Sequence, residues 1–142
     1  MSEKYFAGGF LFHPPSRSVL LQFRGSKTVH SPNTWCFLGG WSENEDGDDP
    51  AATWRREMRE ELGITIPPKD TVALTDYLPH SNPYHRYIFY SPWPSLSDDF
   101  HLAEDETDLA AVKWFTIDEA LTFPILLTDG TRRDLLLFRE HL

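Results

Sequence analysis

Residues 50–62 carry the strongest local helix signals in the chain. Asp49 is a suitable N-cap, Pro50 suits the first helical position, where its missing N–H costs nothing, and Gly63 suits a left-handed C-cap. Four apolar residues recur between these ends at the spacing of one helical face: Ala51, Trp54, Met58 and Leu62. The segment therefore predicts a helix that packs one face against a core.

Three glutamates of this helix, Glu57, Glu60 and Glu61, stand at i, i+3 and i+4. On a helix their carboxylates project from one face, within about 100° of arc. Like charges at this spacing repel by a few tenths of a kcal/mol per pair, so the cluster calls for a nearby cation. Two readings stay open at this point: a metal site, or a solvated face with ion pairs such as Arg56 with Glu60.

The length and composition bound the class of protein. A chain of 142 residues fits one domain over residues 1–142 and can bury a core without disulfides. The formal net charge of −9 argues against a surface that coats nucleic acid, because such a surface needs a basic face. It leaves nucleotides open as ligands, since a divalent cation can bridge acidic protein groups to phosphate.

The cysteine count and the lack of long apolar segments predict the cellular compartment. Cys36 is the single cysteine, so no intramolecular disulfide forms and a reducing compartment is expected. The N-terminus lacks the basic and apolar regions of a signal peptide, and no run of residues is long and apolar enough to span a membrane. We therefore expect a cytoplasmic protein with no membrane partner.

The remaining pattern predicts an α+β fold. Strand-like segments occur at residues 5–12, 19–24, 71–77, 84–90 and 110–115. The first two, separated by a proline-containing turn, predict an antiparallel pair. Thr116 and Glu119 form a capping box before a short helix, and residues 131–142 predict a final packing helix. This order indicates a mixed β-sheet packed between helices, an α/β/α sandwich.

Two other groups of polar residues do not support a metal site. In an EF-hand register with Gly47 as the loop glycine, Ser42 and Thr53 would stand where Asp and Glu are needed, so the acidic run before the helix is not a calcium loop. His80 and His85 lack a third ligand at suitable spacing and are interpreted as turn and strand residues.

Three residues upstream of the helix are candidate ligand-binding positions. Gly39 and Gly40 permit a tight turn or a close approach of a ligand to the backbone. Arg24, at the end of a predicted strand, is either a ligand-binding cation in a cleft or a surface arginine. The sequence alone leaves that choice open.

These residues together resemble the Nudix box. The family pattern is Gly, five residues, Glu, seven residues, and then Arg-Glu-apolar-x-Glu-Glu-x-Gly-apolar. Its second half is matched at seven positions: Arg56, Glu57, Met58, Glu60, Glu61, Gly63 and Ile64. Asp48 stands at the position of the first glutamate, and Gly40 matches the opening glycine if the loop before Asp48 carries two extra residues. Leu38 replaces a proline that is frequent before the glycine pair. Residues 114–120 resemble the strand-to-helix segment that commonly closes Nudix domains.

The resemblance implies the Nudix fold and hydrolysis of a nucleoside diphosphate linked to another group, which releases a nucleoside monophosphate. It implies Mg²⁺ or Mn²⁺ as the cofactor and assigns the ligands to Glu57, Glu60, Glu61 and the Gly40 carbonyl. Arg56 would hold a glutamate in place. The general base would be a glutamate of the box or one of Glu104 and Glu106 on the later acidic loop.

The substrate stays open within this resemblance. Oxidised nucleoside triphosphates, nucleotide sugars, ADP-ribose and dinucleoside polyphosphates are all compatible with it, because selectivity lies in loops outside the box. The expected partner is a small nucleotide and not a nucleic-acid polymer, and a homodimer is one open assembly. The alternatives are a Nudix-fold binding or regulatory module without turnover and a plain structural domain with an ion-paired helix.

Overall fold

A computed structural model describes residues 3–25, 33–80, 82–97, 99–102, 109–122 and 126–142. Within these ranges seven strands form one mixed sheet. They are β1 (Phe6–His13), β2 (Ser18–Arg24), β3 (Thr34–Cys36), β4 (Leu38–Trp41), β5 (Val72–Tyr77), β6 (Arg86–Pro92) and β7 (Leu109–Thr116). In this described part of the chain, no helix is long and apolar enough to cross a membrane.

Strand β1 lies at the centre of the sheet. It runs parallel to β6 from Phe6, opposite Arg86, to Phe12, opposite Pro92. Its other edge is shared by two antiparallel partners, β4 and β2. Strand β5 pairs with β6, while β3 and β7 pair with β2. The predicted antiparallel pair β1–β2 is confirmed.

Helices cover both faces of the sheet. The first is α1 (Pro50–Leu62), and the other two are α2 (Ile117–Thr122) and α3 (Asp129–Glu140). Neighbouring residues of β1 point to opposite faces, as the pleat requires: Leu11 joins a buried cluster with Trp54 and Met58 of α1, and Phe10 joins one with Phe138 of α3. The α+β prediction of a mixed sheet between helices is thus confirmed.

The helix ends follow the predicted local signals. The Asp49 carboxylate accepts a hydrogen bond from the Ala51 amide at 3.1 Å, and Gly63 ends α1 with φ 72°. The capping box before α2 is reciprocal, because the Thr116 amide donates to Glu119 and the Glu119 amide donates to Thr116. These backbone groups would otherwise lack intrahelical partners.

Two strand predictions need correction. Strand β6 occupies Arg86–Pro92 and not residues 84–90, because its register is set by β1, whose Phe12 lies opposite Pro92. The short apolar segment at residues 35–38, which was not predicted as a strand, is divided between two strands, β3 and β4, that pair with β2 and β1 in turn. In both places a distant partner strand determines the boundary.

Candidate active site

A cleft of about 1120 Å³ opens between the end of the sheet, helix α1 and the start of helix α3. Gly40, Glu57 and Glu61 line one part of it. Arg86, Gly130 and Arg133 line another. The cleft therefore joins a carboxylate-rich region to a region with guanidinium groups.

Arg56 is the centre of the polar network beside the carboxylates. The residue is only 5% exposed. Its Nη1 donates to the carboxylates of Glu57 and Glu60, each at 3.1 Å, and its Nη2 donates to the Trp41 carbonyl at 3.0 Å. Hydrogen bonding to Asp46 raises the pKa of Arg56, so the residue is a permanent cation. These bonds hold β4 and α1 in a fixed relation.

Asp46 completes this network from the loop before α1. Its Oδ1 accepts from Arg56 Nε at 2.8 Å, and its Oδ2 accepts from Arg56 Nη2 at 3.1 Å. Oδ2 also accepts from the Glu43 amide at 2.9 Å and from Thr53 Oγ1 at 2.8 Å. Burial raises the pKa of Asp46, but the hydrogen bonds from Arg56 and Glu43 outweigh it and hold the pKa below its usual value.

This contact corrects the alignment of the box. Asp48, aligned with the first glutamate by counting back from Arg56, is exposed, whereas Asp46 is buried against the Arg56 guanidinium. Five residues separate Gly40 from Asp46, as in the family pattern, so the two extra residues lie between Asp46 and Arg56. The insertion is accommodated where the chain enters α1, and the loop from Gly40 to Asp46 keeps the family length.

Glu57 and Glu61 are the two glutamates of α1 that line the cleft. The Glu57 side chain is 13% exposed and Glu61 is 3% exposed. Burial raises the pKa of Glu57 above its usual value, against the lowering effects of a hydrogen bond with Glu61 and of the Arg56 charge. Two acidic groups buried this close to each other favour a cation between or beside them.

Gly40 is required by the position of Glu57. A Cβ on Gly40 would overlap the Glu57 carboxylate, with Glu57 Cδ 2.6 Å away. Gly39 also lines the cleft, but a Cβ there would overlap the Ala7 carbonyl of β1. The missing side chain at Gly40 thus leaves room for the Glu57 carboxylate, and the missing side chain at Gly39 leaves room for strand β1.

The other predicted site residues are placed as follows. The Glu60 carboxylate lies on Arg56, and its side chain is 51% exposed. In the described part of the chain, no three His, Cys, Asp or Glu side chains are close enough to hold a metal ion together. Arg24 lines the cleft and hydrogen-bonds Cys36. Glu104 and Glu106 lie outside the described residues.

Sequence reasoning missed one cleft residue with a detectable signal. Arg86 lies on β6 at the same face as Ile88 and Tyr90, which pack in the core cluster under α3. A charged residue in line with two core positions needs a buried partner, and Arg86 Nε donates to Asp134 of α3 at 3.1 Å. The alternation along β6 could have indicated this residue.

The chain matches one protein family, described as NUDIX domain, over residues 6–140. Among solved structures it is similar to a MutT NUDIX hydrolase from Burkholderia pseudomallei, with 23% identity over 96% of this chain and 98% of that chain and a TM-score of 0.66. It is also similar to a NUDIX hydrolase from Alicyclobacillus acidocaldarius, with 15% identity over 96% and 90% and a TM-score of 0.73.

A third similar structure is the NUDIX domain of Shewanella oneidensis NrtR, solved in complex with ADP ribose, with 15% identity over 97% of this chain and 86% of that chain and a TM-score of 0.72. No curated protein matches the sequence. At these identities the structural likeness establishes the fold, while the match over residues 6–140 establishes the family.

Proposed function

The chain belongs to the NUDIX family and is a Nudix-type pyrophosphohydrolase, and from this premise we propose that it hydrolyses a nucleoside diphosphate linked to another group. The bond broken is the pyrophosphate bond, and one product is a nucleoside monophosphate. The other product carries the remaining phosphate. Water enters at phosphorus, and the leaving phosphate oxygen keeps the electron pair of the bond that breaks.

The observation that carries this proposal is a pair of carboxylates that line the cleft beside Gly40, the buried Glu61 and the partly buried Glu57. A pyrophosphate is itself anionic and would be repelled by two carboxylates. A site of this composition can receive a pyrophosphate only if a cation lies between them. The acidic wall therefore supports a metal-dependent reaction.

Mg²⁺ or Mn²⁺ fits this donor set. Hard cations take oxygen ligands, and Mg²⁺ is usually held by one or two carboxylates, with water and substrate phosphate completing its coordination. We assign Glu57, Glu61 and the Gly40 carbonyl to this role. Glu60, which lies on Arg56, would have to turn away from the guanidinium to serve as a third carboxylate. When bound, the ion would offset phosphate charge and acidify a water.

Arg56 acts in this proposal as a positioning residue. Its Nη1 contacts Glu57 and Glu60, and its other nitrogens are anchored by Asp46 and the Trp41 carbonyl. Because both ends of the guanidinium are held, the carboxylates are oriented before a substrate arrives. Removal of a residue that orients metal ligands in this way typically lowers metal affinity or activity by about 10-fold to 100-fold.

Two further roles complete the proposal. For the general base the candidates are Glu57 and Glu60 on α1, together with Glu104 and Glu106, which lie outside the described residues. Glutamine at the true base should abolish the rise of kcat with pH, whereas glutamine at the others should leave its shape unchanged. Arg24, Gly39 and Gly40 are proposed to contact the substrate, since all three line the cleft.

A hydrolysis panel tests the proposal. Nucleoside triphosphates, nucleotide sugars, ADP-ribose and dinucleoside polyphosphates would be incubated with Mg²⁺, with Mn²⁺ or with a chelator, and nucleoside monophosphate would be measured by chromatography. We expect release from at least one class, dependent on the metal. Tight nucleotide binding without release from any class would instead support the binding-module alternative.

Variants then test the assigned carboxylates. Glu61→Gln should lower kcat by several orders of magnitude and should remove the Mg²⁺-dependent rise in melting temperature, with an unchanged circular dichroism spectrum. Glu60→Gln should lower kcat as well. Glu140→Gln, on the exposed end of α3, is the matched control and should leave both readings unchanged. Normal turnover by both Glu60→Gln and Glu61→Gln would refute the assignment.

A further inference from the structure

The floor of the cleft near α3 is a row of four cross-strand neighbours. Tyr77 lies opposite Arg86, Arg86 lies opposite Phe6, and Phe6 lies opposite Trp41. Residues paired in register project to the same face of a sheet. All four line the cleft, so one guanidinium stands within a row of three aromatic rings.

Arg86 is held in one position. Its Nε donates to Oδ2 of Asp134, which is 0% exposed, and the Tyr77 hydroxyl donates to the same oxygen at 3.2 Å. Its guanidinium carbon lies 5.0 Å from the Phe6 ring centroid. On the α3 side a Cβ at Gly130 would stand 3.1 Å from that carbon, so a side chain at this position would crowd the guanidinium. The guanidinium is therefore preorganised.

The outer edge of the Arg86 guanidinium is available to a ligand. Among the residues that the structure describes, Nη1 and Nη2 of Arg86 make no hydrogen bond, while Nε is taken by Asp134. Arg86 is one of the residues that line the cleft, and its side chain is 17% exposed. It thus offers a parallel pair of donors with fixed geometry.

The α3 end of the cleft has equal numbers of positive and negative side chains. Arg86, Arg133 and Asp129 line it, and Asp134 pairs with Arg86. By contrast, the carboxylate region around Glu57 carries an excess of negative charge that calls for a metal and phosphate. A charge-balanced region with directional donors and aromatic rings suits an uncharged, planar, polar group. In a nucleotide that group is the base.

We propose that the α3 end of the cleft is a nucleobase subsite in which Arg86 selects a base with adjacent carbonyl-oxygen and ring-nitrogen acceptors. The inference rests on the proposed nucleotide substrate. Guanine offers this pair at O6 and N7, and cytosine offers it at O2 and N3. Adenine and uracil each place a donor next to an acceptor, and that donor would face an Arg86 N–H. Phe6, beside Arg86 in the row, and the exposed Trp41 supply apolar surface beside the base.

Binding of four nucleoside monophosphates in the presence of a chelator tests the subsite without any hydrolysis. Isothermal titration calorimetry would compare GMP, CMP, AMP and UMP. We expect GMP or CMP to bind roughly 10-fold to 100-fold more tightly than both AMP and UMP. Equal binding of all four bases, or a preference for AMP or UMP, would overturn the proposal. Because chelator is present, a failure here is distinct from an absence of hydrolysis in the substrate panel.

Variants assign the selectivity to Arg86. Arg86→Lys keeps the charge but loses the paired donors, so it should remove the preference for GMP or CMP and leave AMP and UMP binding unchanged. Arg139→Lys, on an exposed arginine at the far end of α3, is the control and should keep the preference. Equal weakening of all four nucleotides by Arg86→Lys would show that Arg86 binds the phosphate and would refute the base subsite.

A ligand analogue tests the same contact on the unaltered protein, in case substitution of Arg86 disturbs folding. The deaza form of the preferred nucleotide replaces the ring-nitrogen acceptor with carbon: 7-deaza-GMP or 3-deaza-CMP. Its affinity should fall to that of AMP and UMP. An unchanged affinity would exclude a paired contact from Arg86.

Discussion

Asp46 binds the Arg56 guanidinium through two bonds, Nε–Oδ1 at 2.8 Å and Nη2–Oδ2 at 3.1 Å. Both residues are buried, and the pair joins the loop before α1 to the helix that carries the cleft carboxylates. A parallel two-bond contact of this kind fixes the orientation of a guanidinium as well as its position.

Removal of Asp46 should destabilise the protein strongly. In Asp46→Ala the buried Arg56 loses its two-bond contact, and the Glu43 amide and Thr53 hydroxyl lose their acceptor. Glu57 and Glu60 still neutralise the Arg56 charge, so the cost should be that of lost hydrogen bonds to a charged group, about 1.5–3 kcal/mol. The measurement is the free energy of unfolding from urea titration. Asp48→Ala is the matched control because Asp48 is exposed, and its effect should stay within about 0.5 kcal/mol. Equal losses from the two variants would contradict the corrected alignment.

The same carboxylate should contribute to acid unfolding. The pKa of Asp46 in the folded protein lies below its ordinary value of 3.8, so below that pH the unfolded chain binds a proton more readily than the folded one. The stabilisation is present above pH 3.8 and is lost as the pH falls through the lowered pKa. Asp46→Asn cannot titrate, so the difference in unfolding free energy between wild type and variant should shrink on acidification. A difference independent of pH would refute this contribution.

Substitution of Gly40 should separate activity from stability. Alanine at position 40 would displace the Glu57 carboxylate, and a misplacement of about 1 Å at a catalytic group costs about 100-fold in rate. The control is Gly47→Ala: Gly47 has φ 64° and no neighbour within 4 Å, so strain of about 1–3 kcal/mol should lower stability and leave kcat unchanged. Full activity in Gly40→Ala would show that the position of Glu57 tolerates displacement.

Cys36 should be unreactive in the folded protein. Burial raises the pKa of this thiol to about 11, against a lowering effect of Arg24, so at pH 8 about one thiol in a thousand is ionised. Iodoacetamide labelling, followed by mass spectrometry, should be slow for the native protein and fast in denaturing urea. Equal rates in the two conditions would mean that the thiol is exposed and ordinarily acidic.

The parts of the fold that were predictable depend on local chemistry. Helix α1 begins after Asp49 and ends before Gly63 as expected, because a cap and a left-handed glycine act within a few residues of each other. The glutamates at 57, 60 and 61 were identified for the same reason. The sequence did not predict that Glu57 and Glu61 line the cleft while Glu60 lies on Arg56, because that difference depends on tertiary contacts.

The features that the sequence did not predict depend on how distant segments align with each other. The family spacing of seven residues before Arg56 selects Asp48, whereas the spacing of five residues after Gly40 selects Asp46. Spacing alone does not show whether the two inserted residues lie before or after the acidic position. The cleft floor is harder still, since Phe6 meets Arg86 only through the parallel pairing of β1 and β6, and such a pairing leaves no local mark in either segment. Asp134 is recognisable as the Arg86 partner only after α3 is placed over that row.

The position of β1 at the centre of the sheet has a consequence for synthesis. On a growing chain, β2 and β4 are available to β1 early, but β6 is translated about eighty residues after the start of β1. Until then, the full edge that β1 later gives to β6 presents unpaired backbone groups, which can pair with any other extended chain. Until β6 is made, the nascent protein thus exposes a full edge of the strand that ends at the centre of its sheet.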